Sequence, residues 1–236
     1  MKTIQSSSGL FAKRPYYPDE EIERICLNEL GAVGLLPHSP GPIRIDRFIE
    51  KRFGISHQYE DLVDGVLGAT VFGEQGIEAI VVARNLDEEG SKIAERRIRS
   101  TLGHEAGHGI LHVHLFDSQR GNERLFGDFS DPLKPKVLCR DVVTSEEKPK
   151  AVYDGRWWEF QANSVMGALL LPRPLVELAL EPFMIAHGSL GGMKLDRTRR
   201  EQAARHLSEL FDTNPVVARL RLERLYPTEN VAQLSL

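Results

Sequence analysis

Residues 99–112 of the chain run Arg99-Ser100-Thr101-Leu102-Gly103-His104-Glu105-Ala106-Gly107-His108-Gly109-Ile110-Leu111-His112. This stretch lies in a segment with helical periodicity, from about Ser91 to Phe116, and contains His104-Glu105-Ala106-Gly107-His108, an H-E-x-x-H spacing. Residues four apart stack on one helical face with Cβ atoms roughly 6 Å apart. Two imidazoles so placed can converge on one ion at metal–nitrogen distances of about 2.0–2.1 Å. Glu105 sits about 100° round the helix, where it reaches a metal-activated water without ligating the metal. The pattern therefore predicts one Zn2+ per chain held by His104 and His108, with Glu105 as general base in hydrolysis.

A second helix-patterned run spans Trp157 to Leu171 and is closed by Pro172. Glu159, Ala162, Asn163, Met166 and Leu170 share one face of it. A carboxylate on an otherwise small and apolar face needs a partner, because burying it unpaired costs several kcal/mol, roughly, even after relaxation. A zinc ion would be that partner, and Asn163, one turn on, could hydrogen-bond a ligand histidine. Two histidines and one glutamate leave a coordination position open for water, the mark of a catalytic site. The alternatives to Glu159 as third ligand are Cys139, Asp141 and Asp154, and Glu159 could instead be a solvated acid on an amphipathic helix. His112 lies one turn beyond His108 and is read as a support or packing residue, with His114 beyond it. Tyr153 and His187 are candidate donors for a developing oxyanion.

Composition sets the frame. At 236 residues with 41% hydrophobic and 27% charged residues, the chain can bury a sizeable core and is not of the disordered class. Apolar runs such as Ala168 to Leu171 are too short to cross a bilayer, so no membrane association is expected. The first nine residues hold no apolar run and no small-residue cleavage site, which predicts a cytoplasmic protein with reduced Cys26 and Cys139. A net charge of −4 and a pI near 6.1 supply no global field for nucleic acid.

Residues 1–17 read as a loose arm, followed by a helix from Pro18 to Leu30. Pro37 to Pro42 is a loop, and Ile45 to Phe53 is a short helix stopped by Gly54. Val66 to Phe72 and Ile77 to Val82, flanking a Gly-rich turn, form a hairpin. Residues 117–153 are polar and read as irregular. Further helices are predicted over Pro174–Ala186, Arg197–Phe211 and Pro215–Tyr226. A small antiparallel sheet among many helices makes the fold class α+β.

With these pieces in order, the chain resembles the ImmA/IrrE family of metallopeptidases. The similarity is carried by the hairpin, by Arg99 to His112, by Trp158-Glu159-Phe160-Gln161-Ala162-Asn163 with the following Leu-Leu-Leu-Pro, and by Leu207 to Leu220. It spans roughly residues 40–226. The resemblance implies a zincin-like, mostly helical fold whose small sheet packs on the active-site helix. It implies a gluzincin-like site with His104, His108 and Glu159 as ligands and Glu105 as catalyst. It also implies cleavage of an intracellular protein substrate, a DNA-binding transcriptional repressor, linked to stress or mobile elements. The expected organisation is an N-terminal arm and first helix (1–40), a zinc metallopeptidase domain (41–190) and a C-terminal helical segment (191–236).

That last segment, from Lys194 to Arg224, holds eight Lys and Arg against five acids. Its two helices around Asp212-Thr213-Asn214 resemble a helix-turn-helix pair. Packing on the core through Leu207, Leu210, Phe211, Leu220, Leu222 and Leu225 is the preferred reading, with direct nucleic-acid binding weak or absent. A second reading stays open: a regulatory protein of a repressor or toxin–antitoxin-like pair that binds DNA or a partner, its zinc fold inactive or sensory.

Overall fold

The computed structural model describes residues 2–5, 13–73, 76–114, 136–141, 157–187 and 192–227. Strands β1 (Lys2–Gln5) and β2 (Lys13–Tyr16) pair antiparallel. Helix α1 (Asp19–Ala32) begins where Asp19, Glu20 and Glu21 meet the positive end of the helix dipole. Helix α2 (Ile45–Phe53) stops at Gly54, whose φ of 74° is left-handed and whose N–H reaches Glu50 O at 3.0 Å. Strand β3 (Gln58–Glu60), β4 (Val66–Gly73) and β5 (Gly76–Ala83) lead through α3 (Arg84–Glu89) into α4 (Lys92–Leu111). The Ser91 hydroxyl oxygen caps α4 by accepting from the Ala94 N–H at 3.1 Å. Then follow β6 (Lys136–Asp141), α5 (Trp157–Leu170), α6 (Arg173–Leu180), β7 (Met184–His187), β8 (Gly192–Leu195), α7 (Arg200–Leu210) and α8 (Pro215–Leu225).

The sheet order is β3-β5-β4-β6, with β4 antiparallel to both neighbours and β3 parallel to β5. One side of α4 packs on β4 and β5 while another lies along α5, so the helix runs through the interior. Every residue from Ser100 to Gly109 is buried, which explains why this half of α4 shows no polar stripe. Glycines make the close approach possible. A Cβ at Gly107 would lie 2.9 Å from the Ala162 carbonyl oxygen on α5, and one at Gly68 would lie 2.4 Å from Thr101 Cγ2. Helices α1 and α8 also pack on α5, and Leu169, Leu170 and Leu171 at its C-terminal end are fully buried. The chain is thus a mixed helix-and-strand fold, and no helix among the described residues is long and apolar enough to cross a membrane.

Several elements depart from expectation. Residues 2–5 and 13–16 of the supposed loose arm form a ribbon, because the backbone groups of two short segments satisfy one another. Part of the stretch read as irregular, Lys136–Asp141, is an edge strand recruited by β4, with Cys139 opposite Ala69. The predicted helix over 174–186 ends at Leu180: residues 181–183 tighten into a 3-10 turn at Pro182, and Met184–His187 pairs with Gly192–Leu195. Of the helix predicted to reach Phe116, α4 ends at Leu111 with His112 as its cap, Val113 and His114 are again helical, and residues 115 and 116 lie outside the described residues. The sheet is not wholly antiparallel, since β3 joins in parallel. Leu220 is 52% exposed rather than packed, whereas Leu207, Phe211 and Leu222 are buried as expected. Cys26 is a free, buried thiol whose pKa burial pushes up.

One buried ion pair ties the two ends of the fold. Arg221 of α8 donates through both terminal guanidinium nitrogens to Glu23 of α1, the Nη2–Oε2 bond measuring 2.7 Å, and through Nε to Leu171 O at 3.0 Å. Removing one partner strands a buried charge, so Arg221→Met is expected to lower unfolding stability by about 3–5 kcal/mol. Adding Glu23→Gln should recover much of that loss. Chemical denaturation of both variants checks it; a single variant within about 0.5 kcal/mol of the parent, the range of neutral surface changes, contradicts it.

Candidate metal centre

Four side chains converge where α4 and α5 cross. His104 is 1% exposed and His108 fully buried, and their stacking at i, i+4 brings the two Nε2 atoms to 3.1 Å. Glu159, in the first turn of α5, places Oε2 at 3.0 Å from His104 Nε2 and Oε1 at 3.5 Å from His108 Nε2. Ligand atoms of His104, His108 and Glu159 all lie within 4.8 Å of one another, a triad able to hold a metal ion. The fourth side chain, Asn163, presents Oδ1 to His104 Nδ1 at 3.0 Å. Oδ1 can only accept, so Nδ1 carries the proton and Nε2 turns a lone pair toward the triad.

Both the spacing and the chemistry of the donors fit a small divalent cation. Tetrahedral ligands at about 2.0–2.1 Å from a metal lie roughly 3.3 Å from each other, and the separations of 3.0, 3.1 and 3.5 Å bracket that value. Imidazole nitrogens with a carboxylate oxygen suit borderline transition metals rather than calcium or magnesium. A carboxylate beside a lone-pair nitrogen in a buried seam repels it, and a cation between them turns the repulsion into attraction.

Glu105 points the other way round α4, toward the sheet. Its side chain is fully buried, and the Thr70 hydroxyl of β4 donates to Oε2 at 2.7 Å. Gly68, two residues earlier on the same strand face, leaves the space that this carboxylate occupies: a Cβ there would sit 3.1 Å from Glu105 Oε1. Thr70 was not singled out from the sequence. Its signal was its place, a polar side chain on the inward face of a strand otherwise bearing Gly68 and Phe72.

Beyond the triad, His108 Nδ1 lies 2.9 Å from His112 Nδ1, and His112 Nε2 lies 3.1 Å from Gln161 Oε1. Gln161 Nε2 in turn donates to the Pro15 carbonyl at 2.8 Å. Burial holds His112 down to a pKa of about 3, so it stays neutral, and Trp157 covers it edge-on at 5.6 Å. His112 is therefore a buried neighbour of His108, whereas Gln161 was missed. Histidine and glutamine in one buried seam must satisfy each other, a signal visible only once the crossing of α4 and α5 is known.

The other candidates fall elsewhere. Cys139 and Asp141 lie on β6, paired with Ala69 and Val66. Tyr153 and Asp154 lie outside the described residues, as does the side chain of His187. His114 is exposed past the end of α4. Comparison with known proteins adds nothing to this site: no family model, curated protein or solved structure matches the chain.

Proposed function

We propose that the protein is a zinc-dependent endopeptidase with a zincin-like catalytic core, acting in the cytoplasm on one specific protein, a transcriptional repressor. The observation that carries this reading is the convergence of His104, His108 and Glu159, with Glu105, adjacent to His104 in the helix and turned toward the sheet, as a carboxylate outside that triad. When bound, zinc would supply Lewis acidity, bringing the pKa of a coordinated water toward about 7 and polarising a substrate carbonyl. Glu105 would take the proton from the attacking water on its carboxylate and return it to the leaving amine. Thr70 would hold that carboxylate in one orientation through its bond to Oε2. The choice of a repressor as substrate is supported by the resemblance of residues 40–226 to ImmA/IrrE metallopeptidases.

The ion pairs of the C-terminal helices favour this reading over nucleic-acid binding. Arg200, Arg205 and Arg219 pair with Glu223 or Glu201, Arg221 with Glu23, and Arg224 with Asp19. Cations already neutralised by carboxylates release few counterions from DNA, so little affinity is gained.

Elemental analysis after zinc loading and desalting tests the centre: about one zinc per chain is expected, lost to a strong chelator and lost progressively in acid, where ligating imidazoles protonate. A chain that retains no stoichiometric transition metal refutes it. Incubation of the loaded protein with a proteome-derived peptide library, read by mass spectrometry, tests the peptidase; no cleavage beyond the zinc-free control refutes that.

A further inference from the structure

The contacts leading away from His108 form a line with one fixed end. The Pro15 carbonyl can only accept, so the group of Gln161 that meets it at 2.8 Å is the amide NH2. That leaves the Gln161 carbonyl facing His112, and a carbonyl also only accepts, so His112 Nε2 carries a proton and donates to it over 3.1 Å. His112 is fully buried against His108, Gln161 and Trp157, none of which supplies a negative charge, so the ring is neutral and has a lone pair on Nδ1. The 2.9 Å contact with His108 Nδ1 must be a bond that His108 donates, which leaves the lone pair of His108 on Nε2, facing Glu159 and His104. The direction of every bond follows from the carbonyl at the end.

We infer that Gln161 and His112 are positioning residues which, anchored on the backbone of the N-terminal ribbon at Pro15, fix the tautomer in which His108 can ligate a metal. Asn163 does the same for His104 by a single bond, so the two histidines are set by separate routes. His112 touches no proposed reacting atom and acts only through His108. The anchor is a surprise of topology. Pro15 belongs to β2, outside the residues that resemble a metallopeptidase, yet it ends the line that starts at the metal face. Without the Pro15 contact the Gln161 amide could turn over and present its NH2 to His112. His112 would then accept at Nε2 and donate from Nδ1, and His108 would carry its proton on Nε2, where a metal cannot bind.

The inference rests on the metal-centre reading, and its test separates the two. Nitrogen NMR of the histidine rings in the zinc-loaded, full-length protein should show His112 protonated on Nε2 only and His108 protonated on Nδ1 only. His112→Phe keeps a flat, bulky ring but offers no acceptor, and its zinc affinity by chelator competition should fall about 10–100-fold. His112→Gln keeps an acceptor carbonyl within reach and should stay close to the parent. His112 protonated on Nδ1, or equal affinities in the Phe and Gln variants, overturns the inference while leaving the metal centre standing. A parent protein that takes up no zinc removes the centre and the inference with it. The spectrum of the parent needs no variant to fold, so it decides the matter even if His112→Phe does not.

Discussion

Glu159→Ala is expected to weaken zinc binding by about 10²–10³-fold while leaving the chain folded. The magnitude follows from sharing an apparent metal-binding free energy of about 10–16 kcal/mol over four ligand positions, roughly 2.5–4 kcal/mol each. Structural-site energies serve here as the scale for one lost bond. The competing view of Glu159, a solvated acid in the first turn of α5, predicts something quite different. An acid at a helix N-terminus interacts with the dipole by about 0.3–1 kcal/mol, so its loss would lower stability slightly and leave metal affinity alone. Glu159 is 19% exposed at its side chain and touches both histidines, which is the geometry of a ligand and not of a free surface acid. Chelator competition and a melting curve on the same variant separate the outcomes. Unchanged affinity with a slightly lower melting temperature would return Glu159 to the surface.

The parts of this centre that the sequence made legible are those set by local periodicity. His104 and His108 are neighbours on any α-helix, and the face shared by Glu159 and Asn163 needs only the 3.6-residue repeat. The hairpin and the stop at Gly54 were legible for the same reason, since turn and cap chemistry is local. What stayed hidden depends on which segments meet. Thr70 reaches Glu105 across 35 residues, and Gln161 reaches Pro15 across 146. Strand β6 has few local marks; it is a strand because the edge of β4 has unpaired backbone groups to offer. The 174–186 segment failed differently: its apolar spacing suits a helix as far as Leu180, and Pro182 then breaks the pattern into a turn and a strand. The glycines of Gly103-His104-Glu105-Ala106-Gly107 read poorly as helix formers, yet they are what admits α5 to the His face.

Glu105→Gln separates holding the metal from using it. The change keeps shape and a carbonyl oxygen, so the Thr70 hydroxyl can still donate as it does now to Oε2 at 2.7 Å. It also removes a negative charge from a fully buried position, so the variant should melt no lower than the parent and bind zinc in the same ratio. What it loses is a proton acceptor. General base catalysis contributes about 10²–10⁴-fold, or roughly 2.7–5.5 kcal/mol of barrier, so cleavage of any peptide found in the library screen should fall by that factor. Because Glu105 lies outside the triad, the loss should appear with metal content unchanged, the opposite of Glu159→Ala, where metal and rate fall together. Glu105→Asp adds a geometric arm. It keeps the charge but draws the carboxylate back by one methylene, and a misplacement of about 1 Å can itself cost about 10²-fold. A Gln variant that binds zinc and cleaves at the parental rate would leave His104, His108 and Glu159 as a metal site and remove Glu105 from the chemistry.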